Sequence, residues 1–292
     1  MKVAIYSRGG ESVTPADVAN LLEELGQARI TPVLHSDIFH QTRHAIADPD
    51  GILSFSQSED LDESIDCLIS LGGDGTLLDT VTLVRDKNIP VLGINFGRLG
   101  FLASLGKEKL SSAVQALMSR SYVVDRRTLI HVDADIPLFG ETPYALNEFA
   151  IHKRDVSPMI RIHTYLNGEF LNNYWADGLI VATPTGSTGY SLSCNGPVLF
   201  PDSGSFVITP VAPHNLNVRP IVVPDDTVIS FVVEGRTDQF ICTMDSRKEI
   251  VHRRVQLAVK KESFTISLVR LPERNFLQTL REKLAWGYDA RN

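Results

Sequence analysis

The chain has 292 residues, 43% of them apolar and 22% charged, with a net charge of −7. That length suggests two domains of roughly 100–200 residues, with enough apolar side chains to bury a sizeable core. The acidic balance gives no electrostatic reason to bind nucleic acid, though it allows a local basic pocket for phosphates.

Along the first 120 residues, strand and helix signals alternate. Residues 3–6 are an apolar run that ends in Gly9-Gly10 and reads as a strand. Thr14-Pro15 supplies an N-cap followed by proline in the first turn, and Val18, Leu21, Leu22 and Leu25 follow at helical spacing. Residues 30–34 read as a second strand and 67–71 as a third, ending in Gly72-Gly73-Asp74-Gly75. Leu77, Leu78, Val81 and Val84 give a helix face, 90–95 a fourth strand, and Leu110, Val114 and Leu117 another helix face. This alternation predicts an α/β domain, a parallel sheet covered by helices, over residues 1–124.

After about residue 123 the pattern changes. Residues 128–135 and 160–166 alternate apolar with polar, and Asn167-Gly168 supplies a hairpin turn. Strand-like runs then recur at 206–211, 228–234, 239–244, 255–260 and 264–271. The cadence predicts a β-rich, sandwich-like domain over 125–271. Phe276, Leu277, Leu280 and Leu284 predict an amphipathic helix within 272–292 that packs back on the first domain.

Cys67, Cys194 and Cys242 lie far apart, without metal-ligand spacing, and read as reduced thiols. The eight histidines form no zinc motif; His35, His40 and His44 read as surface or capping residues. The basic pairs Arg253-Arg254 and Lys260-Lys261 read as solvated strand ends. With no signal peptide and no apolar run near ~18 residues, the chain is expected to be cytoplasmic and free of membranes.

The loop 72–76 ends one strand and opens a helix. Glycines there let backbone amides approach an anion at the positive end of a helix. Asp74 is an odd choice for a loop that only cradles phosphate, because it repels phosphate. Three roles stay open for it: general base, magnesium ligand, or cap of the following helix. No Gly-Lys-Ser/Thr follows, so this is not a Walker A loop.

Gly72-Gly73-Asp74-Gly75-Thr76 matches the GGDGT motif shared by NAD kinases, diacylglycerol and sphingosine kinases and, more loosely, 6-phosphofructokinases. Two further segments, Leu146-Asn147-Glu148-Phe149 and residues 177–191 (DGLIVATPTGSTGYS), resemble the NAD kinases rather than the lipid kinases. Weaker support comes from Asn95-Phe96-Gly97-Arg98-Leu99-Gly100-Phe101, Pro213-His214-Asn215-Leu216 and Arg219-Pro220. The chain therefore resembles the NAD kinase family, with matches spread in order over about 70–250.

The resemblance implies transfer of the γ-phosphoryl group of ATP to the 2′-hydroxyl of the adenosine ribose of NAD, giving NADP and ADP. It implies ATP phosphates along 72–75, a divalent cation (Mg²⁺) bridging them, and Asp74 as the catalytic residue. Asn147 and Glu148 would contact an NAD ribose; Asp177, Thr185 and the run Thr188, Gly189, Tyr190, Ser191, Leu192 and Ser193 would line the NAD site. The site is expected between the two domains, in a homo-oligomer (dimer or tetramer). Three positions depart from relatives: Trp175 and Asp79 stand where many carry a basic residue, and Arg247 where many carry Gln. For Arg247 a phosphate contact and a solvated side chain stay open. Two other readings compete. A lipid or other small-molecule kinase would need an apolar acceptor channel, against which the Thr-Gly-Ser-Thr run speaks. A non-catalytic dinucleotide sensor would not need Asp74.

Overall fold

The structure is a computed structural model that describes residues 1–9, 12–97, 99–155, 158–252, 254–273 and 275–286. Gly10, Arg98 and Arg253, noted above, lie outside the described residues. The chain divides into two compact units, one formed by Met1–Arg126 with Ile266–Asn292, the other by Arg127–Thr265.

The first unit is built on β1 (Lys2–Tyr6), α1 (Pro15–Gln27), β2 (Thr31–His35), α2 (Ser36–Thr42), β3 (Leu53–Phe55), β4 (Cys67–Leu71), α3 (Asp74–Val84), β5 (Val91–Asn95), β6 (Leu105–Gly106) and α4 (Leu110–Ser119). The strands pair in the order β5-β4-β1-β2-β3, all parallel. Strands β4 and β5 are buried at every residue, as strands covered on both faces must be. Thr14 caps α1 in a capping box with Asp17, and Val18, Leu21 and Leu25 face the core beside Ile5, Ile69 and Leu92. His35 caps α2 by accepting the Asp37 N–H, but it is buried rather than on the surface, edge-on to Tyr6 and Phe55.

The chain then runs through β7 (Val123–Ala134), β8 (Tyr144–Ala145), β9 (Glu148–Lys153), β10 (Ile160–Leu166), β11 (Glu169–Ala176), β12 (Gly178–Ala182), α5 (Tyr190–Ser193), β13 (Ser205–Val211), β14 (Ile221–Pro224), β15 (Ile229–Glu234), β16 (Gln239–Met244), β17 (Arg247–His252) and β18 (Leu257–Arg270), and ends with α6 (Phe276–Leu284). The second unit is an antiparallel sandwich. One layer orders β14-β13-β12-β9-β16-β17, the other β11-β10-β15-β18. Phe149, Ile151, Val181, Phe206 and Phe240 meet Ile162, Phe231 and Val259 in its core. On the other face of the first layer, Ala150, Ile180, Ala182 and Val207 are covered by Cys194 and Leu199.

The expected α/β unit with a parallel sheet and the β-rich unit are both present. One expectation is corrected: 255–260 and 264–271 are not two strands but parts of the continuous β18. Its first half pairs with β15, and Leu268 pairs with Val91 of β5 in the first unit. Lys260 and Lys261 are therefore mid-strand rather than at a strand end; both side chains still reach solvent while ion-paired to Asp133 and Asp225 (2.7 Å for the latter).

Candidate active site

Open parallel sheets bind ligands beyond the carboxyl ends of their strands. In the first unit β4 lies between β1 and β5, so three such ends adjoin: Ser7-Arg8, the 72–76 loop and the segment after Asn95. Gly73 is the N-cap of α3 and Asp74 its first residue. The Asp74 carboxylate does not cap its own helix. Its Oδ1 accepts the N–H groups of Leu102 and Ala103 at 3.1 and 2.9 Å, and its Oδ2 accepts that of Phe101 at 2.8 Å. A carboxylate has about four lone-pair sites. Three amides therefore fix Asp74 and leave room for one further hydrogen or a cation. The close approach requires glycine at 100, because a Cβ there would lie 1.8 Å from Asp74 Oδ1.

Beside this loop stands Arg8. Asp79, on α3, accepts from its Nε and, at 2.6 Å, from its Nη2. The Tyr6 hydroxyl donates to the same carboxylate at 3.0 Å. Burial and the Asp79 charge push the Tyr6 phenol up, so it stays a donor. The hydrogen bonds that Arg8 donates to Asp79 likewise raise its pKa and hold it in its charged form. Arg8 Nη1 lies 3.3 Å from the place a Cβ on Gly75 would occupy. The acidic residue at 79 thus brings a guanidinium to the glycine loop.

The second unit gathers Asn147, Glu148, Asp177, Gly189 and Tyr190. Asn147 and Glu148 enter β9, and the 183–190 loop folds onto them: Thr183 donates through its hydroxyl to the Leu146 carbonyl at 2.6 Å and through its N–H to the Asn147 carbonyl at 2.9 Å. The close approach demands glycine at 186, where a Cβ would lie 2.0 Å from the Asn147 carbonyl oxygen. Glu148 Oε2 and Asn147 Nδ2 lie 3.3 and 3.6 Å from the corresponding point on Gly189. Among the described residues, Asn147 Oδ1 and Glu148 Oε2 are buried without a hydrogen-bond partner. Such orphans are uncommon in a native interior. Burial, and then the nearby Asp245 charge, push the Glu148 carboxyl up to about 8 against the pull of the Tyr190 N–H. Asp177 is ion-paired to Lys153 at 2.8 Å, and the Tyr190 ring stacks on His152 at 5.6 Å.

Other candidates from the sequence are bonded elsewhere. Thr185 accepts from Arg127, the Thr188 hydroxyl donates to the Thr185 carbonyl, and Ser191 shares a buried 2.8 Å hydrogen bond with Thr209. Leu192 is half-buried and Ser193 exposed. Trp175 stacks on His214 at 4.0 Å, with Arg161 over its ring. Arg247 is not simply solvated: its guanidinium donates to the carbonyls of Thr142 and Tyr144 and to the Thr142 hydroxyl. Sequence reasoning missed Arg8, which carries no motif, and passed over Asp245 beside Arg247. Among the described residues no helix is long and apolar enough to cross a membrane.

Two family models match, described as the ATP-NAD kinase N-terminal domain over residues 35–122 and the ATP-NAD kinase C-terminal domain over 146–271. The chain is 55% identical to an NAD kinase of Cytophaga hutchinsonii over 84% of this chain and 83% of that one. It is 44% identical to an NAD kinase of Flavobacterium psychrophilum over the full length of both. A crystal structure of yeast NADH kinase complexed with NADH shares the fold, with a TM-score of 0.90 at 22% identity, covering 99% of this chain and 88% of the yeast chain. An NAD kinase from Archaeoglobus fulgidus in complex with ATP superposes with a TM-score of 0.76 at 25% identity, covering 98% and 99% of the two chains.

Proposed function

Because the chain belongs to the ATP-NAD kinase family, we propose that it moves the γ-phosphoryl group of ATP onto the 2′-hydroxyl of the adenosine ribose of NAD, giving NADP and ADP. One observation carries the residue-level reading: two polar side chains in the family-matched region, Asn147 and Glu148, keep buried oxygens without a partner beside a glycine. A ribose, with adjacent hydroxyls that both donate and accept, satisfies such a pair.

In this reading the first unit supplies the donor half. The Gly72 and Thr76 N–H groups are taken by the Ile94 and Gly73 carbonyls, so the amides of residues 73–75, at the N-terminus of α3, receive phosphate oxygens, and Arg8 adds positive charge. Phosphoryl transfer needs positioning and charge neutralisation more than covalent chemistry. Asp74, already orientated by three amides, uses its remaining lone pair to take the proton of the attacking hydroxyl. The second unit supplies the acceptor half through Asn147, Glu148, Asp177 and the 188–193 run. Among the described residues no three His, Cys, Asp or Glu side chains converge as a metal cage. The Asp74 carboxylate, with one lone-pair site left beside its three amides, fits a cation carried mainly on the nucleotide phosphates, as Mg²⁺ prefers. When bound, Mg²⁺ would neutralise the phosphate oxygens, with Asp74 as the carboxylate nearest the loop. A cytoplasmic setting and a dimeric or tetrameric assembly belong to the same reading.

The test is direct. Purified protein incubated with ATP, Mg²⁺ and NAD should form NADP, detected by an NADP-specific dehydrogenase. A protein that binds NAD without forming NADP would be the dinucleotide sensor instead.

A further inference from the structure

The turn between β16 and β17 holds the segment carrying Asn147 and Glu148 from both ends. Asp245 sits at that turn in the left-handed region, at φ 51°, with its carboxylate turned towards the start of β9. Its Oδ2 accepts the Leu146 N–H at 2.9 Å, and its Oδ1 accepts those of Asn147 and Glu148 at 2.8 and 3.2 Å. Its own N–H donates to the Glu148 carbonyl at 3.1 Å. Two residues on, the Arg247 fork takes the carbonyls of Thr142 and Tyr144. A carboxyl group thus binds three consecutive amides while a guanidinium binds the carbonyls just before them.

We propose that Asp245 is a positioning residue for the acceptor half of the reaction: its carboxylate fixes the backbone of 146–148 so that the Asn147 and Glu148 side chains meet at Gly189 with Asn147 Oδ1 and Glu148 Oε2 unpartnered. The proposal rests on the reading of that pair as the contact to the NAD ribose. Its physical content is the number of lone pairs. Three N–H groups converge on one side chain, and only a carboxylate offers enough acceptor sites for all of them. An amide keeps one oxygen and turns an NH₂ against an N–H, leaving at least one amide unpaired. The groups that Asp245 grips, 146–148, all belong to the acceptor half, so the defect is expected in the handling of NAD.

The experiment compares Asp245→Asn with wild type in the full chain. The expected result is a KM for NAD raised at least ~10-fold with the KM for ATP within about twofold. The amides of 146–148 should also exchange with solvent faster, while the rest of β9 stays protected. A KM for NAD within about twofold of wild type, or parallel rises for NAD and ATP, overturns the proposal. Should Asp245→Asn fail to fold, Arg247→Lys decides. It keeps the charge and loses the fork, and a rise in KM confined to NAD supports the clamp while parallel or absent changes overturn it. Glu148→Ala separates the two levels of the argument. If it leaves the KM for NAD unchanged, the reading of the pair fails and the proposal with it. If it raises that KM and Asp245→Asn does not, only the positioning role fails.

Discussion

Arg8 and Asp79 meet through two hydrogen bonds, side chain to side chain, 71 residues apart in sequence. The pair turns a guanidinium towards Gly75, in a stretch (67–84) whose own charged residues, Asp74 and Asp79, are both acidic. Arg8→Ala is expected to raise the KM for ATP ~10- to 100-fold, the size of a charge-assisted hydrogen bond, with little change for NAD. Asp79→Asn should do the same more weakly, since it leaves the guanidinium in place but loosens it. Steady-state kinetics with each substrate varied in turn checks this. A larger effect on NAD would remove Arg8 from the donor half.

Asp74→Asn should lower kcat by ~10²-fold or more while NAD and ATP binding change little. Recovery of the rate at high Mg²⁺ or Mn²⁺ would mark Asp74 as a metal ligand rather than a base. The structure adds a second variant. Gly100→Ala removes no functional group, yet its methyl would occupy the place of Asp74 Oδ1. It is therefore expected to lower kcat nearly as far as Asp74→Asn. Wild-type turnover in Gly100→Ala would show that the clasp on Asp74 does not matter to the chemistry.

Glu148 makes stability depend on pH. Its carboxyl is raised from 4.5 to about 8 in the folded chain. A raised acid favours the folded state while it is protonated, so this contribution is complete below the unfolded value and is lost as pH rises through the folded value. Between pH 5 and 8, folding must hold a proton that the unfolded chain gives up, at up to about 3 kcal/mol at pH 7. Glu148→Gln keeps the shape and cannot ionise. Its Tm relative to wild type should rise steadily from pH 5 to 8 and then level off. A Tm difference that stays flat over that range would mean Glu148 is already ionised.

Activity should require a divalent cation. The loop 72–76 brings Asp74, α3 brings Asp79, and the latter is committed to Arg8. One guanidinium cannot neutralise a triphosphate. Removal of divalent ions with excess EDTA and metal-free substrates is expected to abolish turnover, and added Mg²⁺ to restore it. Full turnover under EDTA would assign the neutralisation to side chains alone.

Much of the framework was legible because it depends on local pattern. The apolar runs before the glycine loop and at 90–95, the Thr14-Pro15 helix start and the Asn167-Gly168 hairpin all read directly as β4, β5, α1 and β10–β11. The site was legible only in part. Asn147, Glu148 and Asp177 stood out through resemblance, since a polar pair before a strand has no signature of its own. The clasp on Asp74 could not be read, because its partners are backbone amides 27 to 29 residues away and any residue has an amide. The grip of Asp245 on 146–148 is hidden for the same reason. β18 was misread as two strands because Lys261-Glu262-Ser263 looks like a turn. In the folded chain Lys261 pairs with Asp225 and Glu262 with His131, and these distant partners keep the polar stretch extended.

The first unit is assembled from both ends of the chain, with Leu268 of β18 pairing beside Val91. A ribosome makes residues 1–126 long before it makes 266–292. During that interval the emerging parallel sheet lacks the strand that borders β5, while Arg127–Thr265 has all its own strands and can close as soon as it is made. The order of synthesis is thus the reverse of the order in which the two units can be completed. Until Leu268 leaves the tunnel, β6 borders that edge of β5 only at Ile94 and Asn95, and the end at Val91 is an open hydrogen-bonding edge and a natural client for a chaperone.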